Sequence, residues 1–221
     1  MGIDKNERID NLSSDELKKI NSFLMLKLIK KGCEKNILDT VIRPRFYSED
    51  IDFEFECFAD LLDSCGKGGN RSLGLSSALG DKKSIDAASD KEKEYKQKIL
   101  DELLRLEKEG FLEKDGFRYF YSTDSSLGGV IGGIATNFML DAKKPLISIA
   151  RNDGEIHVSC RGNQNLVSKG LDLGKAMKQA SANLGGHGGG HAIASGATID
   201  AKKEEEFLNL VDEIIVKQLK S

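Results

Sequence analysis

Nowhere in the 221 residues do apolar side chains run long enough to span a bilayer, and the first ten residues, MGIDKNERID, are polar and acidic. No membrane contact and no signal peptide are expected, and the chain reads as cytoplasmic. Cysteine is sparse: Cys33, Cys57, Cys65 and Cys160 are scattered, with no CxxC spacing. That argues against a disulfide framework or a cysteine zinc site and predicts buried free thiols. Histidine is scarcer still, and two of the three histidines fall within one seven-residue stretch.

What is present suits a globular protein, with 39% hydrophobic and 31% charged residues. The net charge of −3 is unevenly spread. Residues 1–124 carry 22 Lys+Arg against 26 Asp+Glu, whereas residues 125–221 carry 11 against 10. Between Lys143 and Lys178 seven basic residues face three acidic ones. A polyanion would favour such a region, although scattered lysines also solvate ordinary surfaces.

The periodicities predict α/β (α+β) structure: a small mixed sheet with flanking helices over 116–221, preceded by a mainly helical linking region over 1–115. Ser13-Ser14-Asp15-Glu16 is a capping box opening a helix with Leu17, Ile20, Leu24 and Leu28 on one face, ended by Gly32. Val41–Tyr47, containing Pro44, reads as a loop or edge strand. Phe53–Cys65 reads as a buried helix, and 66–81 as a Gly/Ser loop with a short helix near Leu73–Leu79. A second capping box, Ser89-Asp90-Lys91-Glu92, predicts a helix to Glu109 with Glu92–Lys96 and Glu94–Lys98 pairs. Strands are expected over Phe117–Ser122, Pro145–Ala150, Glu155–Arg161 and Ala192–Ile199, with a hairpin turn at Asn152-Asp153-Gly154. Helices are expected from Gly128 to about Leu140, over Asp172–Leu184 and over Lys203–Lys220.

Chemistry concentrates in Gly185-Gly186-His187-Gly188-Gly189-Gly190-His191. Glycine lets main-chain N–H groups surround an anion, and histidine donates to phosphate or acts as acid or base, so the stretch reads as a phosphate-cradling bend. A flexible loop is the bland alternative. A metal site is another, but glycines disfavour the helix that would align His187 with His191, and no Asp, Glu or Cys lies close by. In the strand Glu155–Arg161, alternation sends His157, Ser159 and Arg161 to one side and Ile156, Val158 and Cys160 to the other. Arg161 suits two-pronged phosphate contact, so this face is a candidate second wall, or else an ordinary solvated strand face.

Ser159-Cys160-Arg161-Gly162, then Gly170-Leu171-Asp172-Leu173-Gly174, then GGHGGGH followed by Ala194, Gly196 and Ala197, resembles the C-terminal DHH-associated domain of archaeal RecJ-like phosphoesterases. Upstream, 58–67 and 72–75 look like the family's linking region, with Asp63 and Lys67 where an Asn and an Arg are usual, so no role is carried to them. The resemblance implies a bilobed, metal-dependent single-strand-specific exonuclease of DNA replication and repair. Its N-terminal lobe would hold two Mn or Mg ions through aspartates and an Asp-His-His motif, and its C-terminal lobe would grip the strand. Carried over, the substrate-binding residues are Ser159, Arg161, Gly186, His187, Gly188, Gly189, Gly190 and His191. No Asp-His-His occurs in these residues, so no catalytic residue, metal ligand or cofactor is assigned to them, and the chain alone is not expected to hydrolyse.

Three uses follow from the resemblance. One is a binding module for single-stranded DNA or RNA that works with a DHH-bearing partner chain. Another is the substrate half of a phosphoesterase acting on short oligonucleotides or small nucleotides. The last is an inactive scaffold of the replication machinery with a GINS-type partner. A tRNA-binding tail like that of alanyl-tRNA synthetase uses a related domain whose glycine motif lacks this histidine pattern.

Overall fold

A computed structural model describes residues 12–33, 38 and 45–220. The chain divides into two compact units, Met1–Phe58 and Ala59–Ser221. In the first, helix α1 (Ser14–Lys30) starts at the expected capping box, with Ser13 accepting from the Glu16 N–H and Glu16 reaching back to the Ser13 N–H. The loop or edge strand expected over 41–47 lies largely outside the described residues. Tyr47 opens β1 (Tyr47–Ser48), which pairs antiparallel with β2 (Phe53–Glu54).

Three helices follow: α2 (Phe55–Lys67), α3 (Arg71–Ala78) and α4 (Lys82–Glu109). Gly66 and Lys67, expected in the Gly/Ser loop, lie within α2, and Phe53 lies in β2. The long helix α4 begins seven residues before the expected box, because Asp81 caps it by accepting from the Ser84 N–H. Ser89, inside the helix, donates back to the Ile85 carbonyl, the usual alternative for a helical serine. The Glu92–Lys96 pair forms at 2.7 Å, whereas Glu94 instead meets Lys91 at 2.8 Å.

Six strands then form one mixed sheet in the order β3-β4-β5-β6-β8-β7. They are β3 (Leu112–Glu113), β4 (Arg118–Tyr121), β5 (Leu146–Asn152), β6 (Glu155–Arg161), β7 (His187–Gly190) and β8 (Ala194–Asp200). Only β4 and β5 run parallel, joined across helix α5 (Gly128–Phe138). Strands β5 and β6 form the expected hairpin, where Asp153 and Gly154 both take positive φ. Between β6 and β8 lie α6 (Gln164–Ser168), α7 (Leu173–Asn183) and β7, and α8 (Glu204–Lys220) closes the chain.

The sheet has a helix layer on each side. On one, Ile147, Ile149, Ile156, Val158 and Cys160 pack with Met177 and Ala180 of α7 and with Phe207, Val211 and Ile215 of α8. On the other, Phe120 and Leu146 pack with Leu127, Ile131 and Ala135 near and along α5 and with Tyr95 and Leu106 of α4. This second cover reaches the Arg161 end of β6, where α5 lies against the strand, and the same side of β8 and β7 stays partly open. Of the four cysteines, Cys65 and Cys160 are buried free thiols, while Cys57 is exposed and Cys33 half-buried.

Candidate nucleic-acid interface

Register assembles the site. Arg161 stands opposite Ala194, Ser159 opposite Gly196 and His157 opposite Thr198. On the far side of β8, Gly196 faces Gly189 and Thr198 faces His187, and His191 exchanges main-chain hydrogen bonds with Ala194. Residues opposite one another share a face, and neighbouring rows alternate. Three successive polar rows therefore present Arg161, Ser159, His157, His187 and His191 to the same side, over a floor of Ala194, Gly196, Thr198 and Gly189. Every one of these is half-buried or exposed, while Ile156, Val158, Cys160, Ser195, Ala197 and Ile199 between them are buried. The result is a shallow polar trough, about 10 Å from β6 to β7 at ordinary strand spacing.

The glycine segment is an edge strand and not the bend expected from its composition. Successive strand N–H groups point to opposite edges, one set toward β8 and the other outward, so they do not converge on a single oxygen. Three of the glycines are required by packing. A Cβ on Gly188 would lie 2.6 Å from the Met177 carbonyl oxygen, and one on Gly190, whose φ is +138°, 2.7 Å from the Ser195 Cα. One on Gly186 would lie 2.5 Å from the Thr198 carbonyl oxygen. Gly189 alone of the β7 glycines has open space where its Cβ would be. It is the place in the strand where a ligand can approach the main chain.

Arg161 is the positive charge of the trough. Its Nη1 donates to the Cys160 carbonyl at 2.9 Å, and among the described residues no carboxylate pairs with it. The Ser159 hydroxyl lies beside it. Thr198 Oγ1 sits 3.3 Å from His157 Nδ1, linking the third row across two strands. Beneath, burial pushes the Cys160 thiol up to about 12, so it is a neutral element of the core and no nucleophile. Among the described residues no group of three His, Cys, Asp or Glu side chains could hold a metal ion, so a two-cation centre does not fit these residues.

Helix α5 belongs to the site, which residue type alone did not reveal. Its glycine face lies directly on the strands: a Cβ on Gly129 would come 2.6 Å from Arg161 Nη2, and one on Gly132 would come 3.2 Å from Arg161 Cγ. Gly128 meets the Ser148 hydroxyl in the same way. The signal was available in the pairs Gly128-Gly129 and Gly132-Gly133, one helical turn apart, which give a helix a smooth face for close approach.

An open polar trough on a mixed sheet, with a glycine-rich edge strand and a helix seated on the arginine, is the geometry of the candidate site. Residues 116–217 match the DHHA1 domain, and this part of the chain has a fold similar to that seen in RecJ. An uncharacterized protein of Methanocaldococcus jannaschii is 30% identical over 220 residues, covering 100% of this chain and 46% of that protein. The chain thus spans about half the length of that relative. RecJ from Thermus thermophilus, solved in complex with Mn2+, superposes with a TM-score of 0.57 at 15% identity over 72% of this chain and 24% of RecJ. CDC45 from Entamoeba histolytica gives 0.59 at 12% identity, covering 95% of this chain and 47% of CDC45. At such identities these likenesses speak for the fold. No helix among the described residues is long and apolar enough to cross a membrane.

Proposed function

We propose that the trough holds the sugar–phosphate backbone of single-stranded nucleic acid, as the substrate-binding part of a RecJ-like phosphodiester hydrolase. The observation that carries this is the guanidinium of Arg161, which no carboxylate pairs among the described residues, on one strand face with Ser159, whose row runs through Gly196 to the accessible Gly189. A guanidinium and a hydroxyl can together bind two phosphate oxygens, and each imidazole can donate another hydrogen bond. Small floor residues let the chain lie close without reading its bases, so recognition is of backbone more than sequence. Hydrolysis would require Mn2+ or Mg2+ on a DHH lobe, in the same polypeptide or in a partner chain.

The test is fluorescence anisotropy with a labelled single-stranded oligonucleotide at about 50 and about 200 mM salt, where counterion release weakens backbone binding. Affinity is expected to fall with salt, and Arg161→Ala to weaken binding about 10-fold, the scale of one charge-assisted contact. Affinity indifferent to both would refute the reading. A second reading is a short ligand of one or two nucleotides, which the single guanidinium of Arg161 suits as well as it suits a strand. Affinity that stops rising beyond a dinucleotide selects it.

A further inference from the structure

We infer that Phe138 is a stacking platform for a nucleobase, and that the groove along α5 continues the backbone site from Arg161 to that ring. This rests on the function proposed above and specifies its ligand as a strand with unpaired, accessible bases. Phe138 is 83% exposed, the most exposed of the large apolar side chains among the described residues, and it stands at the end of α5. It lines a groove of about 340 Å³ together with Lys67, Asn137 and Arg161. A second groove of about 370 Å³ shares Asn137 and Arg161 and leads on to Ala194, on the floor of the trough. A ligand lying over Arg161 therefore has a path onto Phe138.

The lining chemistry identifies the occupant. Neither groove contains an Asp or a Glu, and the Lys67 ammonium is already held 2.6 Å from Asp63, so Arg161 supplies the uncompensated charge. A phosphate fits there. Asn137, exposed on the rim, can both donate and accept toward a base edge. An aromatic ring standing free beside a backbone cation is the arrangement by which proteins bind unpaired nucleic acid, each base offering a π-face. A duplex keeps its bases stacked on one another and has none to give.

The experiment uses the full chain and two probes of equal length: a single-stranded oligonucleotide and an abasic oligomer of the same sugar–phosphate backbone. Phe138→Ala is expected to weaken the oligonucleotide about 10-fold, the scale of one base–aromatic stack, and to leave the abasic oligomer unchanged. Phe138→Tyr should retain binding, while Phe138→Leu should not. Because the ring is exposed, thermal melts of all three variants should match the parent. Equal weakening of both probes, full binding by Phe138→Leu, or an oligonucleotide affinity untouched by Phe138→Ala would overturn the inference. In that last case persisting dependence on Arg161 leaves the backbone site standing and assigns the ring to a protein contact. If neither probe binds at any salt concentration, both readings fall together.

Discussion

The two faces of strands β6 and β8 are built from alternate residues of the same segments, yet they do opposite work. Ile156, Val158 and Cys160 lie sealed beneath α7 and α8, and His157, Ser159 and Arg161 between them stay accessible. On β8 the pattern repeats, with Ala197 and Ile199 inside and Gly196 and Thr198 outside. The period of two separates the buried core residues from those of the proposed ligand face at the resolution of single residues. A change at one position should alter folding, and a change at the next should alter binding.

Phe207→Ala presses hardest on the sealed face. The ring is fully buried against the sheet, so its loss should cost about 3–5 kcal/mol by denaturant titration. Oligonucleotide affinity per folded molecule should be unchanged. A parallel loss of affinity would mean that the faces are coupled and the comparison wrong.

Gly190→Ala and Gly189→Ala sharpen it on adjacent residues of one strand. Both positions have positive φ, at +138° and +154°, but only at Gly190 would the new methyl meet the Ser195 Cα. Gly190→Ala should therefore destabilise by about 1–3 kcal/mol, as overpacked sites do, and Gly189→Ala by clearly less. Binding should reverse the order, since the Gly189 methyl projects onto the trough. Equal melting temperatures for the two would contradict the packing described.

Much of this alternation was legible in the sequence. The β5–β6 hairpin follows from Asn152-Asp153-Gly154, and the polar and apolar sides of β6 follow from simple alternation. What escaped was whatever depends on distant neighbours. Five glycines between residues 185 and 190 read as a bend because glycine favours turns, yet β8 supplies the partner that makes 187–190 a strand. The start of α4 was missed because two cap signals compete in one segment, and the helix extends to the earlier one, Asp81. Helix α5 could not be put on Arg161 without the parallel β4–β5 crossover that folds it there.

Acid separates the faces by a different physical route. At the rim of the sealed face Tyr121, Arg151 and Glu204 form one cluster: Arg151 donates to both Glu204 oxygens at 2.8 and 2.9 Å, and the Tyr121 hydroxyl donates to Oε1 at 2.7 Å. Those bonds hold the Glu204 carboxyl below its ordinary value of 4.5, while burial and the carboxylate push the Tyr121 phenol up to about 12. An unfolded chain thus binds a proton at Glu204 more readily than the folded one. The stabilisation is complete above the ordinary carboxylate range and is lost as pH falls through the lower folded value. Glu204→Gln keeps hydrogen-bonding atoms but cannot titrate, so its melting temperature should fall less than the parent's between about pH 6 and about pH 3. At neutral pH it should cost only about 1 kcal/mol, because Arg151 is 63% exposed and solvent screens the pair. No carboxylate stands among the trough residues, so the same substitution should leave oligonucleotide affinity at neutral pH unaltered. Identical pH slopes for parent and variant would remove Glu204 from the acid response and with it this last distinction between the faces.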